Sequence, residues 1–368
     1  MSRMLLAPAR YVQGSGATSE IGEHAARLGS KALLTGGKTA LSICGNAISA
    51  SLSKKKLGCH QEAFNGECCD PEIERLVKAA KAQSCDLVIA AGGGKVIDTG
   101  KAVAHEMKVP VIIVPTIAAT DAPCSALSVI YTENGVFDRY LVLPKNPECV
   151  LVDTQIVARA PVEYLVSGMG DALATFWEAD TCAKSCKPNV LTGGCPPTLS
   201  AINLARLCYD TLLQHGLAAK LAVETKSVTP AVEAVVEANT LLSGLGFESG
   251  GLAGAHSVHN GFTVLEQSHH KLHGQKVAFG TLTQLIMEGR RMDDILEVLD
   301  FCLSVGLPVC LDDMGVHSPT REEIRKVAEA TTAVGETIHA TWFPVNAELV
   351  ESAIWAADAL GKHYKMET

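Results

Sequence analysis

Residues 87–104, LVIAAGGGKVIDTGKAVA, constrain this chain more than any other stretch. A short apolar run meets Gly92, Gly93 and Gly94, and a helical pattern starts at once after Lys95. A strand that turns through glycines into a helix aims free backbone N–H groups and a helix N-terminus at one point, where an anion can sit. Glycine lets that backbone approach a pyrophosphate without side-chain obstruction. The segment is neither a Walker A nor a G-x-G-x-x-G loop. By itself it is equally well read as a tight packing turn.

Its surroundings favour stacked βαβ units. Short apolar runs alternate with helical patterns over about the first 155 residues. Strands are expected over 31–35, 87–91, 109–114 and 150–152. A helix is expected over 70–83, with Asp70 as N-cap, Pro71 in the first turn and an apolar stripe of Ile73, Leu76, Val77 and Ala80. Past Pro161 the pattern becomes helical throughout, as in 170–184, 199–215, 230–245 and 292–305, with a Pro/Gly-rich loop at 187–197. A chain of 368 residues is long for one core. The expected architecture is therefore an α/β nucleotide-binding domain over 1–158 and an all-α domain over 159–368.

Composition narrows the function. A formal net charge of -9 argues against nucleic acid as a partner, because phosphate contacts need a basic face. No run of about 18 apolar residues appears, so no membrane span is expected. The start, MSRMLLAPARYVQG, has too short an apolar stretch for a secretory signal, which points to a cytoplasmic protein. The 13 cysteines form no repeated C-x-x-C, although Cys68 and Cys69 adjoin and Cys182 and Cys186 sit one helical turn apart. Reduced, buried thiols are the expected reading, against a second metal site or a redox switch.

A second polar loop, 115–129, follows the next strand and offers Thr116, Thr120, Asp121 and Ser125. In open α/β sheets, ligands bind beyond the carboxyl ends of strands, so two such loops can grip one nucleotide. The helical half carries groups suited to a cation. Asp171 stands in SGMGDALAT, His256 and His259 in GAHSVHNG, and His269, His270 and His273 in HHKLHGQK. One carboxylate and two imidazoles with a position left open make a catalytic zinc pattern. Spacing does not choose His256 over His259, nor His273 over His269 and His270, and Asp171 alone also reads as a helix cap.

The motifs GGGKVIDTGKA, PTIAATDAPCSALSVIYTENGVFDRY, GMGDALATFWEA, VVEANTLLSGLGFESGGLAGAHSVHNG and HGQKVAFGTLTQL resemble the bacterial glycerol dehydrogenases. These belong to the metal-dependent, so-called iron-containing alcohol dehydrogenase superfamily. The likeness is collinear from about Tyr11 nearly to the C-terminus. It implies an active site in a cleft between the two domains, with zinc held by Asp171, His256 and His273. Gly93, Gly94, Lys95, Asp98, Thr116, Ala119, Ser125, Leu127 and Tyr131 fall at cofactor-contact positions. Asp121 falls where a substrate hydroxyl is held, and Phe247 at the pocket wall. His259 either supports the ligands from behind, relays a proton or is simply structural. A homo-oligomer, octameric, is also implied.

Two positions bear on subtype. Relatives that use iron carry a further histidine one turn after the aspartate, where this chain has Thr175, which favours zinc. Glycerol dehydrogenases carry an aspartate for the adenine ribose at the end of the first strand, where this chain has Gly37 followed by Lys38. Losing that carboxylate removes an attraction for the 2′-hydroxyl and a repulsion against a 2′-phosphate, so NAD is expected with NADP also accepted. The expected reaction is hydride transfer between a nicotinamide cofactor and a small polyol, glycerol to dihydroxyacetone, with vicinal diols preferred. The competing readings are a hydroxy-acid or hydroxyketone reductase on the same scaffold, a cyclising synthase needing a basic site, and a catalytically silent nucleotide-binding protein.

Overall fold

A computed structural model describes residues 2–367. Eight strands precede residue 154, and helices make up the regular structure that follows. The strands are β1 (Tyr11–Gly14), β2 (Lys31–Gly36), β3 (Gly58–Ala63), β4 (Leu87–Gly92), β5 (Val111–Pro115), β6 (Leu127–Tyr131), β7 (Phe137–Val142) and β8 (Cys149–Asp153). Six of them form one sheet in the order β1-β8-β5-β4-β2-β3, and β6 with β7 forms an antiparallel hairpin. Every pairing in the six-stranded sheet is parallel. β4 and β5 are buried at every position, as expected of parallel strands covered on both faces.

The strands expected over 31–35, 87–91, 109–114 and 150–152 are β2, β4, β5 and β8; Pro110 holds the start of β5 back to Val111. The 70–83 helix is Asp70–Ala82, but its N-cap is Cys69 and not Asp70. Asp70 lies inside the first turn, and its carboxylate pairs with Arg139 at 2.8 Å. β1, β3 and the hairpin carry no apolar run strong enough to have been read from sequence.

The chain divides into two compact units. One is Leu6–Val162 together with Ala222–Gly244; the other comprises Glu163–Leu221, the residues from Leu245 on and a short N-terminal stretch. The returning segment is tied to the sheet by side chains: Gln13 donates to Glu233 at 2.7 Å, Thr154 does so at 2.7 Å, and Tyr11 meets Thr240 at 2.6 Å. The helix expected over 230–245 is broken there into Pro230–Glu237, a π-helical turn Ala238–Leu242, and Ser243–Gly250.

Among the described residues, the regular structure of the second unit is helical. Its framework includes Val162–Ser185, Gly254–Phe262 and His273–Met287, while Met292–Val305 matches the expected span. The 187–197 loop contains one short 3-10 turn, Val190–Thr192. Among the described residues no disulfide joins any of the thirteen cysteines, and ten of them are buried. Among the described residues, no helix is long and apolar enough to cross a membrane.

Candidate active site

Strand order places the nucleotide-type loops. The chain leaves β2 towards β3 on one side and leaves β4 towards β5 on the other, so the carboxyl ends of β2 and β4 flank a topological switch point. Those ends are in register, with Gly36 opposite Ala91. Gly37 follows β2 in extended conformation (φ −63°, ψ 155°), and a Cβ added there would meet no atom within 4 Å. Gly93 caps the helix Gly94–Met107 in extended conformation and, being glycine, offers no side-chain cap to the N–H groups of its first turn.

The second loop lies against the first. The Thr116 N–H donates to the Gly92 carbonyl at 3.1 Å. A Cβ on Gly93 would sit 2.9 Å from Ile117 Cδ1, and one on Gly94 would sit 3.8 Å from Thr120 Oγ1. Lys95 pairs with Glu67 at 2.6 Å, with its ammonium 5.7 Å from the centre of the Tyr131 ring. Ala119 and Ser125 are buried, and the Ser125 hydroxyl donates to the Ala122 carbonyl at 3.3 Å.

Asp98 is turned into the protein. Its carboxylate lies 3.0 Å from Lys101 Nζ and accepts from the Val129 N–H at 3.2 Å. Burial raises the Asp98 pKa above the ordinary carboxylate value, and the nearby Lys101 offsets this only in part. The Lys101 side chain is 1 % exposed, and its ammonium also donates to the carbonyls of Ala122 (3.0 Å), Ser125 and Leu127. One buried cation thus gathers the loop that carries Asp121, Ser125 and Leu127. Asp121 is itself buried and accepts from the Ser243 hydroxyl at 2.7 Å, while Asn239 donates to the Ala118 carbonyl at 3.0 Å.

Three side chains meet in the helical unit. The Nε2 atoms of His256 and His273 lie 3.2 and 3.1 Å from the same oxygen, Oδ1 of Asp171. Gly170 and Gly274 allow this approach. A Cβ on Gly170 would lie 2.3 Å from the Gly274 carbonyl oxygen, and one on Gly274 would lie 1.8 Å from that of Ser167. Only bare backbone brings the first turn of His273–Met287 so near the Asp171 helix.

The outer nitrogens of both rings are also engaged. His256 Nδ1 lies 2.6 Å from Glu178 Oε2, and His273 Nδ1 lies 3.1 Å from His259 Nε2. His259 in turn meets Asn260 Oδ1 at 3.0 Å through its own Nδ1. Asp171 is 1 % exposed and His256 13 %, whereas His273 at 37 % marks the open side. Burial works against charge on Asp171, yet His273 and His256 outweigh it and hold its pKa well below the ordinary value. Burial also opposes charge on His256, but Glu178 and Asp171 raise its pKa well above the usual imidazole value. Burial, with His273, Lys276 and His256 nearby, lowers that of His259.

This donor set fits a divalent cation. The three ligand atoms lie within 4.8 Å of one another. Donors about 2.0–2.1 Å from a tetrahedral ion stand roughly 3.3 Å apart, close to the spacings here. Glu178 only accepts hydrogen bonds, so the proton between it and His256 sits on Nδ1, and Nε2 is the nitrogen that faces Asp171. A divalent cation there would take the place of the proton that Nε2 and the carboxylate otherwise share. Thr175, one turn beyond Asp171, is buried and outside the cluster. His269 is elsewhere, with Nε2 against the Thr263 carbonyl at 2.8 Å, and Phe247 is buried in the helix Ser243–Gly250.

Sequence reading missed Glu178, Lys101, Ser243 and Asn239. Glu178 was accessible in principle, since it lies two helical turns after Asp171, and Lys101 one turn after Asp98. Ser243 and Asn239 meet their partners across more than a hundred residues, with no local pattern to reveal it.

Residues 8–154 match the family described as iron-containing alcohol dehydrogenase. The chain is 51% identical over 359 residues to a glycerol dehydrogenase of Thermotoga maritima, covering 97% of each. It is 45% identical over 365 residues to a glycolaldehyde reductase of Halobacterium salinarum, covering 99% of this chain and 100% of that one. The crystal structure of a probable glycerol dehydrogenase from Sinorhizobium meliloti superposes with a TM-score of 0.93 at 43% identity, covering 98% of this chain and 100% of that one. The chain belongs to the iron-containing alcohol dehydrogenase family and is an alcohol-dehydrogenase-type oxidoreductase.

Proposed function

We propose that this enzyme is a zinc-dependent, nicotinamide-linked dehydrogenase of small polyols, interconverting glycerol and dihydroxyacetone and acting on related vicinal diols. The observation that carries the reading is the meeting of His256 Nε2 and His273 Nε2 at one oxygen of Asp171. Two further facts support it: the relatives named glycerol dehydrogenase, and a helix with a glycine N-cap starting at a sheet switch point.

Asp171, His256 and His273 would hold the ion. A bound divalent cation supplies Lewis acidity, lowering the pKa of a substrate hydroxyl, and the nicotinamide supplies the hydride acceptor. The chain's own groups do the rest. Asp121, steadied by Ser243, accepts a hydrogen bond from the neighbouring hydroxyl, which favours vicinal diols. The backbone around Gly93 and Gly94 and the helix behind it receive the pyrophosphate, with Lys95, Thr116 and Tyr131 alongside. His259 steadies His273 through Nδ1.

Zinc over iron rests on Thr175, which leaves three protein ligands. NADP acceptance rests on Gly37. In this reading residues 1–158 carry the dinucleotide and 159–368 the metal, with 222–244 serving the first of these. A cytoplasmic, homo-oligomeric enzyme, octameric, completes the proposal, and thirteen cysteines outside any disulfide suit a reducing compartment.

The relative named glycolaldehyde reductase favours a second reading, reduction of a small hydroxycarbonyl on the same site. A steady-state panel on zinc-loaded enzyme separates them: glycerol, 1,2-propanediol, dihydroxyacetone, glycolaldehyde and 2-oxo acids, each with NAD(H) and NADP(H). The proposal expects the highest kcat/KM with the glycerol–dihydroxyacetone pair. A preference for glycolaldehyde or a 2-oxo acid would overturn it.

A further inference from the structure

We propose that Glu178 is a positioning residue for the metal centre, fixing both the backbone that presents His256 and the tautomer of its ring. The proposal rests on the reading of Asp171, His256 and His273 as metal ligands.

Glu178 has a side chain 0% exposed, and both of its oxygens are used. Oε1 accepts the backbone N–H groups of Ala253 at 2.8 Å and His256 at 3.1 Å. These lie at the start of the helix Gly254–Phe262, whose own N-cap residue, Ala253, has no side chain able to cap it. Glu178 therefore caps a helix from a different helix, and this sets where His256 begins. Oε2 meets His256 Nδ1 at 2.6 Å. A carboxylate has lone pairs only, so the proton between it and the ring belongs to Nδ1, and Nε2 is the nitrogen left to a metal ion that displaces its proton towards Asp171.

A neutral amide does not serve both ends. In Glu178→Gln, the amide oxygen can keep the two backbone N–H groups, but its NH₂ then faces Nδ1. That donor selects the ring tautomer protonated on Nε2, which cannot bind a cation. Turned over, the amide sets its NH₂ against two backbone donors. Either orientation costs metal binding.

The experiment titrates metal-free wild type, Glu178→Gln and Asp171→Asn with zinc against a chromophoric chelator, alongside the Tm of each metal-free form. Wild type should take one zinc per chain, and Glu178→Gln should bind it roughly ten- to a hundredfold more weakly. A lowered Tm with wild-type zinc affinity would leave Glu178 a helix cap only and overturn the proposal. If wild type and Asp171→Asn bind zinc alike, the metal reading itself falls and takes this proposal with it. Should Glu178→Gln fail to fold, nitrogen NMR of zinc-loaded, histidine-labelled wild type decides. A proton on His256 Nδ1 supports the proposal, and a bare Nδ1 overturns it.

Discussion

Asp171 and Glu178, seven residues apart on the helix Val162–Ser185, touch opposite nitrogens of one imidazole: His256 Nε2 lies 3.2 Å from Asp171, and its Nδ1 lies 2.6 Å from Glu178. Seven residues are about two turns, so both carboxylates share a helix face. The ring is clamped between them, and its orientation is settled before any ion or substrate arrives. Preorganisation of this kind lets a metal site stay well formed on its exposed side, here His273.

The clamp depends on close backbone approach. A Cβ on Gly274 would lie 1.8 Å from the Ser167 carbonyl oxygen and 2.8 Å from the Asp171 backbone nitrogen. Neither is the end of a flexible side chain, so the helices must separate. Gly274→Ala should lose about 3 kcal/mol or more in denaturant unfolding, together with bound zinc by elemental analysis. Wild-type values for both would contradict this account of the site.

On the proposed function, cofactor choice turns on Gly37. Its backbone is extended with negative φ, and the space around it is open, so an aspartate fits without strain. Gly37→Asp should fold normally and raise the ratio of kcat/KM for NAD over NADP at least tenfold, about 1.4 kcal/mol, by adding an acceptor for the 2′-hydroxyl and repulsion for a 2′-phosphate. Wild type should discriminate by less than about a thousandfold, about 4 kcal/mol. An unchanged ratio in the variant would sink the role given to this position.

Lys101 links stability to the loop proposed to hold the cofactor. Lys101→Met removes the ammonium from Asp98 and from the carbonyls of Ala122, Ser125 and Leu127, leaving a buried carboxylate without its cation. Breaking a buried pair from one side costs about 3–5 kcal/mol. The expected outcome is a Tm several degrees lower and a raised KM for the cofactor, with zinc content unchanged because the metal ligands lie on other helices. Equal loss of zinc and cofactor affinity would show general unfolding instead.

Much of this was legible from residue pattern. The run from Leu87 into three glycines encodes a buried strand and a helix start, because each signal is local: apolar length, absence of Cβ, helical period. The strand order was not legible, since β3 (GCHQEA) is too polar to announce itself and it decides where the switch point falls. The proposed metal ligands were only half readable. Histidine spacing left His256 and His259 equal, and resemblance to a family was needed to separate them. The structure gives the physical reason: His256 turns Nε2 to Asp171, whereas His259 points at the back of His273. Contacts such as Ser243 with Asp121 depend on chain return over 122 residues, and no periodicity records that.

The most direct test of the whole account is metal dependence at Asp171, His256 and His273. The enzyme is stripped with chelator, assayed for glycerol oxidation, reloaded with zinc or with iron(II), and compared with Asp171→Asn and His273→Ala. The expected outcome is no turnover without metal, recovery with one zinc per chain, and folded but inactive variants that retain no zinc. Full activity in the stripped enzyme, or in either variant, would contradict it.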